Sequence, residues 1–287
     1  MSVLFAKGVR VKHPGKPEWG LGQVLENSSY TAVRIFFVGA GERNLSLEFV
    51  NLLTVTGPEA HHLGLDNLKR DPSGKRVTAS SLPQAISRFL ERYPEGFYGQ
   101  KYLGEERDYK VKAHRRCLEL LSEQAIAHAL QAQQFDEICK GALQVVNATN
   151  LIFPNEIMAL KDGLVGDHAK KHFAEALHNL LFGTADFEAR FNAFGNVLYE
   201  IGAAKWTTAT YFPFLMFPET QIFLKPTITK KAADLCAFEI NYRPDVNWIT
   251  YRQVLLFANE LRKHLADLKP RDMIDVQSFM WCIARDT

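Results

Sequence analysis

The chain is poor in the features that announce a reaction. Its four cysteines, Cys117, Cys139, Cys236 and Cys282, lie far apart, and none belongs to a Cys-x-x-Cys pair. That spacing excludes a dithiol motif or a zinc ribbon and suits unpaired thiols in a reducing compartment. There is no Gly-x-x-x-x-Gly-Lys-Ser/Thr loop to cradle phosphates. Gly20-Leu21-Gly22 lacks the third glycine and the following helix of a dinucleotide site. A Gly-x-Ser-x-Gly elbow, a His-Glu-x-x-His pair and a Glu-x-Lys triplet are missing too. No cofactor is expected. No apolar run approaches the roughly 20 residues a membrane helix needs, and no apolar leader opens the chain. The expectation is a cytoplasmic protein that does not enter a membrane.

Charge of one sign is scarce as well, since the formal net charge is only +2. Its distribution is uneven. Residues 1–56 carry six Lys/Arg against four Asp/Glu, residues 57–116 twelve against eight, and the remainder sixteen against twenty. A basic front and an acidic back orient a molecule on a polyanion if the cations share a face.

What is present begins with a period of two. In Gly8–His13, Val9 and Val11 alternate with Arg10 and Lys12, the pattern of a half-buried strand. His13-Pro14-Gly15 breaks it, and Gly20–Glu26 supplies a second strand with a bend at Gly22. Asn27-Ser28-Ser29 is a turn. Thr31–Val38 is the strongest strand, with Val33, Ile35 and Phe37 inward and Arg34 and Phe36 outward. A turn at Gly39–Glu42 leads to short strands at Asn44–Leu47 and Leu52–Val55. Five short strands in so few residues bury an inner face by closing into a small barrel.

The stretches GVRVKHPGKPEWGLGQVLE and VRIFFVGAGERNL resemble the Tudor/SH3-like module at the C-terminus of UvrD-type helicases. They are distantly similar to the RNA-polymerase-interacting module of CarD and of transcription-repair coupling factors. The resemblance implies an adaptor that docks on polymerase, a helicase or nucleic acid. The downstream blocks NATNLIFPNEIMALKDGL, FLKPTITKKAADL and PRDMIDVQSFMW resemble uncharacterised bacterial proteins that carry the same module. That likeness implies no activity.

Residues 57–80 are rich in Gly, Pro, Asp and Lys/Arg and read as a linker. From residue 81 the apolar spacing is helical. Stripes such as Phe173, Ala176, Leu177, Leu180 in Asp167–Phe182 and Phe187, Phe191, Phe194, Leu198 in Ala185–Ile201 predict an all-α domain, with Gly202 as a terminator. The fold expectation is therefore α+β: an SH3-like five-stranded barrel over 1–56, a linker over 57–80 and a helical domain over 81–287.

Candidate sites follow from the residue types. Lys7, Arg10, Lys12, Lys16, Arg34 and Arg43 are cations of the sheet that would meet phosphates or acidic side chains, and Trp19 and Phe36 are rings that would stack or anchor. Lys225, Lys230 and Lys231 gather at the start of a helix expected from Thr229, where bound anion would offset the dipole. The helix after Glu105 carries Arg107, Lys110, Lys112, Arg115 and Arg116, either a solvated face or a phosphate-tracking surface. Asn147 and Asn150 read as helix caps or as readers of a base edge. His61, His62 and Asp66, and the pair His168 and His172, have ligand chemistry but lack a complete zinc pattern. The aromatic segment Lys205–Leu224, cut by Pro213 and Pro218, is either the central core or the lining of a pocket rimmed by Thr207, Thr208 and Thr210. The leading expectation is a non-catalytic adaptor of nucleic-acid transactions. Its alternative is an enzyme acting on nucleic acid, with a site around Trp206–Lys231 and Asp272–Gln277.

Overall fold

The computed structural model describes residues 4–68 and 82–285. The strands are β1 (Arg10–Lys12), β2 (Leu21–Val24), β3 (Ala32–Phe37), β4 (Gly41–Ser46) and β5 (Leu53–Val55). The helices are α1 (Leu63–Asp66), α2 (Leu82–Arg92), α3 (Gln100–Tyr102), α4 (Asp108–Leu120), α5 (Glu123–Gln131), α6 (Phe135–Val146), α7 (Pro154–Gly163), α8 (Asp167–Phe182), α9 (Phe187–Glu200), α10 (Trp206–Met216), α11 (Pro226–Leu235), α12 (Trp248–His264) and α13 (Met273–Arg285). The chain forms two compact units. One comprises the described parts of Met1–Pro94, Lys230–Ile240 and Ile283–Thr287, the other Glu95–Thr229 and Asn241–Cys282.

In the first unit all the pairings are antiparallel and the strand order is β4-β3-β2-β1-β5. One face follows from the alternation of Val33, Ile35 and Phe37. It buries them with Val11, Val24, Ala40 and Leu52, and Phe5, Trp19, Leu45, Leu47 and Val50 pack at its margin. Gly22 is required here, because a Cβ would sit 2.7 Å from the Phe37 ring.

The expected closure into a barrel is not made: among the described residues β4 and β5 are the open edges of the sheet. The second face is covered by other parts of the chain instead. Leu21 and Phe36 are buried there with Leu65 of α1 and Ala237, flanked by Leu25, Val38, Val55 and Leu68. A bridge between Leu68 and Phe238, and the Glu239 amide donating to the Asn67 carbonyl at 2.7 Å, fix that cover. Of the stretch expected as a linker, residues 57–68 hold a 3-10 turn (Gly57–Ala60) and α1, while 69–80 lie outside the described residues, as does Ser81.

The second unit is helical throughout. Every residue of α10 is buried, so the aromatic segment is its central element. Pro213 was expected to cut this segment, yet the helix runs through it. Burial on all sides outweighs the one backbone bond that proline removes. Around α10, Phe191 stacks on Tyr251 with centroids 4.6 Å apart, and Tyr211 donates to the Val145 carbonyl. Helix α8 spans the expected residues, and α9 ends as expected, with Gly202 at φ +72°. Phe153 precedes α7, and Pro154 takes its first helical position. One cap differs from expectation. Helix α11 starts at Pro226, which leaves Thr229 buried inside it.

Candidate functional site

The ladder registers place the side chains of the sheet. Arg10 lies across from Gln23, Gln23 across from Phe36 and Arg34 across from Asn44, so Arg10, Lys12, Arg34 and Phe36 share one face. This is the grouping expected from the alternation, but two of its cations are already bound. Arg10 donates to Asp66 at 2.6 Å, to the Ala60 carbonyl at 3.1 Å and to Gln23. Arg34 pairs with Glu42 and stands 3.6 Å from Glu26. Lys12 lies 3.6 Å from Glu59, and Lys16 lies 3.8 Å from Glu18, both pairs being exposed. Phe36 was expected outward as an anchor. It is 9% exposed, because α1 and residues 230–240 cover the face it points to.

Trp19 and Arg43 lie apart from that group. Arg43 is opposite Ile35 and therefore on the other face, where its guanidinium sits 5.6 Å from the Trp19 ring centre. Trp19 is half-buried, 5.2 Å from Phe37 and 4.9 Å from His13. Lys7 is exposed, its amide donating to Asn27.

The feature that alternation could not show is at one end of the sheet. The Phe5 amide donates to Ser28, the Ser29 amide to Ala32 and the Leu47 amide to Thr31. These bonds gather residues 4–7, 27–31 and 46–49 at the same end. Leu4, Tyr30 and Phe49 stand there 61%, 63% and 84% exposed, beside the half-buried Phe5 and Leu47. Chain ends and turns carry no period, so only their bonding reveals this rim.

Residues 5–55 match the family described as "Protein of unknown function (DUF3553)". The DUF3553 match thus covers the five strands and the turns between them. No curated protein and no solved structure matches the chain.

In the helical unit a group of buried charged side chains bind one another around the start of α4. Between α3 and α4 the backbone makes a π turn, Leu103–Arg107, which presents Glu106 and Arg107 inward. Arg107 grips Asp272 at 2.6 and 2.8 Å and Asp275 at 2.8 Å. Burial opposes its charge, but the hydrogen bonds and charges of Asp272 and Asp275 outweigh it and raise its pKa above the ordinary value. Asp275 also accepts from Tyr102 and from the backbone and side chain of Arg271. Lys110, fully buried, donates to Ser278 at 2.7 Å and lies 3.3 Å from Glu106. Three cations thus meet three carboxylates, which satisfies each of them and leaves no carboxylate pair open to a substrate.

Burial brings the Lys110 ammonium down to about 8, with Glu106 opposing the fall. Above that value the folded chain has released a proton that the unfolded chain holds up to its ordinary pKa near 10.5. This group therefore makes stability rise with pH between about 8 and 10.5. Lys110→Met is expected to lose that rise in urea unfolding measured across the window. An unchanged slope would show that Lys110 does not release its proton there.

The remaining candidates are placed as follows. Thr207, Thr208 and Thr210 are buried rather than rimming a pocket, and Thr208 and Thr210 donate to backbone carbonyls. Thr207 Oγ1 and Gln277 Oε1 are buried oxygens without a hydrogen-bond partner. The Lys225 ammonium donates to the Leu151 carbonyl and lies 4.3 Å from the Phe153 ring and 5.6 Å from that of Trp281, where burial lowers its pKa. Lys230 and Lys231 are exposed beyond the first turn of α11. Asp66 is held by Arg10, and His62 accepts from the Gly64 amide to cap α1. His168 and His172 stack at 3.9 Å, and among the described residues no third ligand completes the pair. Asn147 bonds back to the Leu143 carbonyl and Asn150 is exposed. The Cys117 and Cys139 thiols are buried and pushed up to about 12, which makes poor nucleophiles of them.

Proposed function

We propose that this protein is a non-catalytic adaptor whose N-terminal sheet docks on another protein. The observation that carries the reading is the rim of Leu4, Tyr30 and Phe49, large apolar side chains standing in water at one end of a small sheet. Such residues anchor a partner when it offers apolar pockets. A protein surface fits better than a phosphate backbone, because Arg10 and Arg34 are already neutralised by Asp66, Glu42 and Glu26. Lys7, Lys16 and Arg43 would then contribute at the edges of the contact, and Trp19 would hold Arg43 in place. The resemblance to helicase-terminal and polymerase-docking modules supports the same class of role. A nucleic-acid enzyme has less support, since Asp272 and Asp275 are held by arginines.

The test is affinity purification of the tagged full chain from its native host, with nuclease treatment, beside Phe49→Ala and Tyr30→Ala. A protein recovered after nuclease should bind each variant at least about tenfold more weakly once it is purified and its affinity measured. Undiminished binding by both variants would show that the rim does not hold the partner. Recovery that depends wholly on nucleic acid would favour a phosphate-docking role instead.

A further inference from the structure

We infer that the groove between α4 and α6 is a binding site for a nucleoside phosphate, a reading independent of the docking rim. The five cations around α4 have separate fates. Arg107 and Lys110 turn inward to the buried network, while Lys112, Arg115 and Arg116 are exposed. Of these three, Lys112 and Arg116 line a groove of about 570 Å³ and Arg115 does not. That volume lies within the roughly 300–1,000 Å³ of small-ligand sites.

The groove offers three kinds of contact. Lys112 and Arg116 are four residues apart, hence about 6 Å along one helix face. Among the described residues Lys112 has no acidic partner, and Arg116 has only the exposed Glu119 at 3.4 Å. Two such cations suit one phosphate group. Ala113, Leu143 and Ala148 form an apolar bed. Two of them are alanines, which leaves room for the face of a flat ring.

The third contact comes from two carboxamides on α6 and its C-cap. Arg116 donates to Gln144 Oε1 at 2.7 Å, so the Gln144 amide NH2 keeps its protons for a ligand. Asn147 spends its NH2 on the Leu143 carbonyl at 2.7 Å, so its side-chain oxygen keeps its lone pairs. One donor and one acceptor on the same wall match the edge of a nucleobase. A bare anion would use only the cations. The groove is open along the surface, so the nucleoside phosphate is either free or one unit of a single strand.

The experiment uses the full chain with three probes: adenosine monophosphate, inorganic phosphate and a fluorescent single-stranded oligonucleotide. Titration at low salt should show binding of the mononucleotide, the strand or both, with inorganic phosphate at least about tenfold weaker. Mononucleotide binding identifies a free ligand, and binding of the strand alone identifies nucleic acid. With one phosphate engaged, strand affinity should fall about two- to threefold between 50 and 200 mM salt. Lys112→Glu should weaken binding at least about tenfold, whereas Arg115→Glu should change it less than about twofold. Both positions are exposed, so both variants should unfold with the wild type. Absence of binding by both nucleotide probes, or equal loss in Lys112→Glu and Arg115→Glu, overturns the inference.

Discussion

Replacing Asp275 with alanine is expected to cost the helical unit about 3–5 kcal/mol. The carboxylate is fully buried and accepts from Tyr102 at 2.7 Å, from Arg107 at 2.8 Å and from the Arg271 amide and Nε at 2.8 and 2.9 Å. Alanine leaves a dry tyrosine hydroxyl and removes the balance of three cations against three carboxylates. The excess positive charge then sits where water does not reach. Asp275→Asn keeps the shape, but its NH2 would face either Tyr102 and Arg107 or the Arg271 amide and Nε, all donors, so its cost should approach that of alanine. Urea unfolding followed by circular dichroism measures both. A loss below about 1 kcal/mol for Asp275→Ala would mean that the network is wet and dispensable.

That network also shows where a local reading stops. The cations around α4 look equivalent in the sequence, because 100° per residue spreads them around the helix. Which of them turn inward is decided by Asp272, Asp275 and Ser278, more than 160 residues away, and by the π turn at Leu103–Arg107. Phe36 fails for the same reason. Its outward direction was legible from the alternation with Ile35 and Phe37, but its cover comes from Leu65 and Ala237. β4 runs over Gly41–Ser46 rather than Asn44–Leu47, because its ladder with β3 continues into the expected turn, whereas β1 and β3 were legible from their alternation of apolar and polar residues. So were α8 and the end of α9, where an apolar stripe and a glycine at positive φ act within one segment. Of the candidate site, the cations were legible as residues and Arg10, Lys12 and Arg34 as one face. The ion pairs that occupy them were not, since Asp66 lies on α1 and pairs with Arg10 across 56 residues. The rim of Leu4, Tyr30 and Phe49 was invisible because it belongs to a chain end and two turns.

Truncating Phe37 to alanine is expected to remove about 3–5 kcal/mol from the N-terminal unit. Its ring is fully buried among Val11, Val24, Val33 and Ile35, and a small core of this kind supplies only about that much stability. Amide exchange should therefore rise across β2, β3 and β4 while α8, α9 and α10 remain protected. Exchange that rises equally in α8–α10 would mean that the sheet is not a cooperative unit of its own. Gly22→Val supplies the opposite perturbation, because its side chain would enter the space of the Phe37 ring. The two changes should not add: Gly22→Val should harm the Phe37→Ala chain less than the wild type, since truncation makes the room that valine needs. Additive costs would show that the ring and the glycine are not matched to each other. Phe37→Ala should also weaken docking by lowering the population of folded sheet, whereas Phe49→Ala, at a position 84% exposed, should weaken docking with the sheet intact.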